Sequence, residues 1–164
     1  LTVLKMRKMM TGTNWYSDIV KSLANIPPAI AHYESELEQA RREVGLHGRL
    51  EKAASTLPGI VEQRVGQLQE IEAILTHLNR ELRRLRTKHY KIYLENYQRA
   101  LSSRDVEKYV DGEDEVCDYE AIVNEWALLR NKWLGILKGL DQKQWQITNI
   151  TKLRVAGMED ADIK

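Results

Sequence analysis

Basic and aromatic side chains alternate over residues 80–99 of this chain, where seven basic residues face only Glu81 and Glu95 and give a local charge of +5. The basic residues are Arg80, Arg83, Arg84, Arg86, Lys88, Lys91 and Arg99, with Tyr90, Tyr93 and Tyr97 among them. Single-stranded nucleic acid needs this combination, because phosphates attract cations and unpaired bases stack on rings. The alternative is a solvated charged face whose tyrosines pack on a neighbouring helix.

A long helix is predicted to position these side chains. Apolar residues step by four and three along it, the period of a helix with one narrow seam: Ile71, Leu75, Leu78, Leu82, Leu85, His89 and Ile92. We predict that this helix runs from about residue 60 to 100. Its geometry places Arg83, Tyr90 and Tyr97 in one outward row, with the other cations beside that row.

The sign of the charge reverses over residues 102–120, which hold eight acidic and two basic residues, a local charge of −6. The acidic spacing does not fit the calcium-binding hand. We therefore expect this segment to pair with the basic face of a neighbouring subunit, or to gate that face in competition with DNA. A plain solvated loop is the alternative.

Patterns typical of enzymes do not occur in the sequence. The four histidines stand singly, and there is no phosphate-binding glycine loop, nucleophile elbow or CxxC motif. We predict a protein that is not an enzyme and that binds no metal or cofactor. The single cysteine, Cys117, excludes an intramolecular disulfide and favours the cytoplasm, and no apolar run is long enough to cross a membrane.

The composition predicts an all-α fold of long, coiled-coil-like helices, since Phe is absent and only nine Gly and three Pro occur. We expect residues 1–25 to form a short, partly disordered N-terminal helix capped by Thr13 or Asn14. Residues 26–100 are predicted to form a long helical hairpin that carries the basic and aromatic face and breaks at Pro58-Gly59. Residues 101–164 are predicted to form an acidic loop followed by a pair of C-terminal helices that mediate oligomerisation.

The predicted C-terminal pair consists of two amphipathic helices separated by a cap at Asp141. The apolar stripe of the first is Ile122, Trp126, Leu129, Trp133, Ile136 and Leu140. The stripe of the second is Trp145, Ile147, Ile150 and Leu153. Trp126, Trp133 and Trp145 follow helical spacing, so we expect them to pack in the core or between subunits.

Leu85-Arg86-Thr87-Lys88 with nearby tyrosines is followed by Ala100-Leu101-Ser102 with Asp105 and Val106, and then by Val110-Asp111. A tryptophan-bearing helix and the run from Lys143 to Arg154 come next. The order of these features over residues 80–157 resembles the UvsY family of phage recombination mediators. The adjacent tyrosine pair of the family is lacking, and the helical N-terminal part is longer.

The resemblance implies a homo-oligomeric ring that binds single-stranded DNA, helps to displace the single-strand-binding protein and loads a RecA-like recombinase in the host cytoplasm. It further implies that Arg86, Lys88, Tyr90, Lys91 and Tyr93 contact DNA. Assembly is implied for the C-terminal helix with Trp145, Ile147, Ile150 and Leu153. The rival interpretation is a coiled-coil structural or adaptor protein whose basic face binds an acidic protein partner.

Overall fold

The computed structural model describes residues 14–97 and 100–158, and within these ranges the chain forms five α-helices and no strand. The helices are α1 (Trp15–Lys21), α2 (Ile26–Val44), α3 (Leu50–Asn96), α4 (Ser103–Asp111) and α5 (Asp114–Val155), with a 3-10 helix at Leu23–Asn25. The predicted all-α fold with long helices is therefore confirmed. Thr13 and the start of the chain, where disorder was expected, lie outside the described residues.

Side-chain caps begin two of the helices, and the first of them, Asn14, was one of the two predicted caps. Asn14 Oδ1 accepts a hydrogen bond from the Ser17 N–H at 3.0 Å and caps α1. Ser102 caps α4, since its Oγ accepts from the Asp105 N–H at 3.3 Å and donates to the Asp105 carboxylate at 2.6 Å. These bonds satisfy donors that the first helical turn leaves without a partner.

The break between α2 and α3 lies at residues 45–49, so the break predicted at Pro58-Gly59 is wrong. Gly48 has φ +73°, a conformation that glycine adopts readily and that ends the helical path. Pro58 lies inside α3, where it removes one backbone hydrogen bond. The buried side chains of Ala53, Leu57 and Leu68 continue on both sides of it, and their packing offsets that loss.

The C-terminal half also has fewer interruptions than the sequence indicated. The helix α5 runs through Asp141 without a break, so the predicted pair of helices is one helix. Its buried stripe continues from Leu140 to Lys143 and Ile147 across the expected cap. The acidic segment is likewise helical in α4 and in the first turns of α5, rather than a loop.

The described chain packs into two compact units, and α2, α3 and α5 each contribute a segment to both. The first unit comprises the described residues up to Ile30 together with Glu70–Leu129, and the second comprises Ala31–Gln69 and the described residues from Arg130 onward. The predicted seams contribute to both cores. The first core includes Ile71, Ile74, Leu78, Val106 and Trp126, and the second includes Tyr33, Leu37, Trp133, Ile136 and Leu140.

Candidate nucleic-acid interface

One side of α3 in the first unit carries exposed cations, which we call the cationic face: Arg80, Arg83, Arg84, Lys88 and Lys91. Residues three and four apart are neighbours on a helix surface, so these five side chains form one continuous patch about 16 Å long. The opposite side of the helix is buried by Ile74, Leu75 and Leu78. Because this side of α3 packs in the core, the cations on the other side face solvent.

Among the residues that the structure describes, most of the cationic face has no carboxylate partner. Arg84 pairs with Glu81 at 2.8 Å, within the helix and largely exposed to solvent. Such surface pairs contribute little to stability and exchange readily with other anions. Within residues 14–97 and 100–158, Arg80, Arg83, Lys88 and Lys91 form no ion pair. No described carboxylate therefore occupies these four cations.

Arg86 has a different environment from the cationic face. Its guanidinium donates to the Asp111 carboxylate at the end of α4 and to Glu120 of α5, the latter at 2.8 Å. Both carboxylates belong to the acidic segment. The acidic segment therefore contacts the basic helix of its own chain, where the sequence predicted a contact with a neighbouring subunit or a gate.

Two further contacts join the acidic segment to α3. His89 Nε2 lies 2.9 Å from the Glu115 carboxylate, and the Tyr93 hydroxyl donates to Glu113. The hydrogen bond from Tyr93 to Glu113 raises the pKa of Tyr93, because it holds the phenolic proton in place and puts a negative charge beside it. With Arg86, these residues form one polar strip along the side of α3 that faces α4 and α5.

The tyrosines of α3 do not form the outward row that the helix geometry predicted. Tyr90 and Tyr93 are half-buried and pack against the small core of Val106, Val110 and Val116. α4 covers the side of α3 on which Tyr90 and Tyr93 lie. Burial of the apolar part of each ring stabilises this packing and leaves less of the ring exposed to a ligand. The expectation that Tyr90 shares an exposed row with Arg83 is therefore wrong.

An exposed aromatic stack lies at the end of α3, and sequence reasoning missed one of its members. The rings of Tyr97 and Tyr109 are 6.0 Å apart and tilted by 26°, and Tyr109 lies 5.5 Å from Tyr93 at 21°. Tyr97 and Tyr109 remain 49% and 46% exposed. Tyr109 lies in the acidic segment, outside the basic and aromatic stretch of residues 80–99, so its ring was not predicted to join those of Tyr93 and Tyr97.

The residues assigned to oligomerisation fall into two groups. Trp126, Trp133 and Ile147 are buried within a single chain, where they serve the cores. Trp145 and Leu153 are exposed and Ile150 is half-buried, so these three positions leave apolar surface toward the end of α5. Trp145 is the most exposed of the described tryptophans, at 59%. Only this second group offers surface to another copy.

A buried charge cluster in the second unit was not predicted. Arg64 on α3 is fully enclosed, and its guanidinium donates to Glu43 at 2.6 and 2.8 Å and to Glu36 at 2.7 Å, both on α2. Gln67 accepts a further bond at 2.8 Å and donates to Glu36. Arg64 lies seven residues after Leu57 and four before Leu68, on the apolar side of the helix. A cation at an apolar position of this kind was the one sign in the sequence of its burial with carboxylate partners.

This cluster shifts the pKa of its charged groups. The hydrogen bond from Gln67 lowers the pKa of Glu36, and the guanidinium of Arg64 lowers it further. Hydrogen bonding to Glu43 raises the pKa of Arg64, which stays charged despite its burial. The ring of Trp133 lies 5.7 Å from the same guanidinium. The cation is fully used by these partners and is not available to a ligand.

The described residues offer neither a metal site nor a membrane-spanning helix. Histidine, cysteine and carboxylate side chains form no group of three that could hold a metal ion in the part of the chain that the structure describes. No described helix is sufficiently long and apolar to cross a bilayer. No family model matches the chain, and neither a curated protein nor a solved structure matches it.

Proposed function

We propose that this protein binds single-stranded DNA and acts as a homo-oligomeric recombination mediator. The observation that carries the proposal is the cationic face, where four exposed cations on one side of a rigid helix have no ion pair among the described residues. Phosphates of a nucleic-acid strand are the natural ligand of such a surface. The exposed rings of Tyr97 and Tyr109 supply planes on which unpaired bases can stack.

The mechanism follows from weak contacts repeated in several copies. A few cations on one helix give modest affinity, but copies joined in a ring engage one strand together and gain avidity without any strong single contact. The exposed Trp145 and Leu153 are the proposed contacts between copies. The resemblance over residues 80–157 supports the further steps, in which the ring helps to displace the single-strand-binding protein and loads a RecA-like recombinase.

The acidic segment gives this binding surface a competitor within the chain. Asp111 and Glu120 occupy Arg86, and Glu113 holds the hydroxyl of Tyr93. A phosphate must displace these carboxylates before it can reach Arg86. Arg86 and Tyr93 therefore contribute to DNA binding only after the contacts open, whereas Arg83 and Lys88 contribute at once. The proposed site of action is the cytoplasm, and the host cytoplasm if the protein is phage-encoded.

Loss of two exposed cations tests the proposed surface. The double variant Arg83→Ala/Lys88→Ala should bind a labelled oligothymidine about tenfold more weakly in fluorescence anisotropy. The slope of log K against log salt should shrink by about 1.4, since each lost phosphate contact removes about 0.7. The control Arg42→Ala/Lys52→Ala removes the same charge from exposed positions of the second unit. Equal affinities of the two double variants would show that the assigned face is wrong.

The rival function, an adaptor that binds an acidic protein partner, is favoured by one specific observation. The basic helix already binds carboxylates of its own chain at Arg86 and His89. An acidic peptide would use the cations but not the tyrosine rings. Competition separates the two functions: a polyglutamate peptide should displace oligothymidine poorly if DNA is the ligand, and readily if an acidic protein is. Acceleration of recombinase loading on protein-coated single strands then tests the mediator role itself.

A further inference from the structure

A groove of about 610 Å³ lies beside the cationic face in the first unit. Its walls come from α1, the 3-10 helix, α3 and the first turns of α5. We call its apolar lining residues Val20, Leu23 and Leu85 the floor, and its cationic lining residues Lys21, Arg84 and Lys88 the rim. Val20 and Leu23 are 46% and 44% exposed, so the floor is open to solvent.

One residue of the groove lining, Tyr119, has a buried polar atom with unused hydrogen-bonding capacity. The Tyr119 hydroxyl is buried and has no hydrogen-bond partner among the described residues. Burial raises the pKa of Tyr119, so the hydroxyl keeps its proton at neutral pH and can donate it. A buried hydroxyl without a partner costs free energy. Because the oxygen is closed to solvent, a ligand in the groove reaches it only if the side chains around it shift.

The acidic groups of the groove are already engaged. Glu81 pairs with Arg84 at 2.8 Å, and Glu115 lies 2.9 Å from His89. Lys88 forms no ion pair among the described residues, and Lys21 pairs only with exposed Asp18 at 3.8 Å. The rim therefore retains positive charge next to an apolar surface, which favours a ligand with an anionic group and a flat apolar part.

We infer that this groove binds one unpaired nucleotide of a DNA strand, with the base on the Leu23 floor and a neighbouring phosphate between Lys21 and Lys88. The inference rests on the proposed function and extends the DNA path from α3 to α1. Lys88 and Arg84 belong to both the cationic face and the rim, so a strand on the face passes the groove. A paired base cannot enter, because its partner strand holds it in the stack.

A charge placed on the groove floor tests the inference. Leu23→Glu should weaken binding of oligothymidine about fivefold to tenfold, because it removes the apolar contact with the base and adds repulsion of the phosphates. Affinity for duplex DNA should fall less than twofold. The matched control is Leu128→Glu, which makes the same change at a 56% exposed leucine of α5 in the same unit, outside the groove.

Lys21→Ala provides a second measurement that does not alter the floor. It should reduce the salt slope of single-strand binding by about 0.7, whereas Lys52→Ala should leave it unchanged. Wild-type binding with equal affinities for Leu23→Glu and Leu128→Glu, and an unchanged slope for Lys21→Ala, would overturn the groove inference alone. An absence of binding by the wild-type chain would overturn the proposed function, and the groove inference with it.

Discussion

Two arginine environments on the same helix differ in every respect that matters for function. Arg64 is fully buried, and its guanidinium is shared between Glu36, Glu43 and Gln67. Arg83 is exposed and forms no ion pair within the described residues. Charge content alone therefore does not locate a binding surface. A cation enclosed by carboxylates serves the fold, and one without partners is available to phosphates.

The largest expected effect comes from removing the enclosed cation. Arg64→Met should lower the free energy of unfolding by about 3 kcal/mol, because it leaves the carboxylates of Glu36 and Glu43 without their counter-charge in a poorly solvated site. Arg83→Met, the same change on the cationic face, should alter it by less than about 0.5 kcal/mol. Urea unfolding followed by circular dichroism measures both. Similar values for the two variants would remove the distinction between the environments.

Arg86 is partly exposed and also paired with two carboxylates, so an intermediate effect is expected there. Neutralising its partners with Asp111→Asn/Glu120→Gln should free the guanidinium and tighten single-strand binding about twofold to threefold, since one more phosphate contact becomes available. Asp118→Asn/Glu125→Gln makes the same change of charge at exposed positions of α5 and controls for the overall field. If both variants tighten binding equally in anisotropy titrations, the contacts at Arg86 do not compete with DNA.

The smallest expected effect is on the pH dependence of the free energy of unfolding, and it concerns Glu36 beside Arg64. The pKa of Glu36 is lowered by its bonds to Gln67 and Arg64, from an ordinary value of 4.5. The carboxylate therefore stabilises the fold above pH 4.5, and this contribution is lost as the pH falls below 4.5 and through the folded-state pKa. Unfolding free energies measured over this range should fall less steeply for Glu36→Gln than for the wild type. Parallel curves would contradict the assignment.

The sequence predicted the buried central part of the seams, because burial at helical spacing is a strong and local signal. Ile71, Leu78, Trp126 and Trp133 are buried where the four-three steps place them, whereas Ile92 and Leu153 of the predicted stripes are 41% and 45% exposed. Helix ends were harder to predict, since Pro58 and Asp141 carry local preferences that long-range packing overrides. The preference of a single residue to end a helix is small compared with the burial of a whole apolar stripe, so the packing of the stripe decides whether the helix continues.

The candidate site was predictable in part for the same reason. The exposure of Arg80, Arg83, Arg84, Lys88 and Lys91 follows from the position of the seam alone. The burial of Tyr90 and the pairing of Arg86 depend on where α4 packs, and nothing in the spacing within α3 specifies that. Arg64 was missed because a lone cation between apolar positions is read as a surface residue until its partners on α2 are known.

The unequal burial of the tryptophans gives the protein a built-in optical reporter. Trp126 and Trp133 are shielded from water, whereas Trp145 is largely exposed on α5. A soluble quencher such as iodide should therefore extinguish the Trp145 emission far more than that of the two shielded indoles. If copies associate through this end of α5, dilution will restore both the quenching and the red-shifted part of the spectrum, and subunit exchange can be followed without any attached dye.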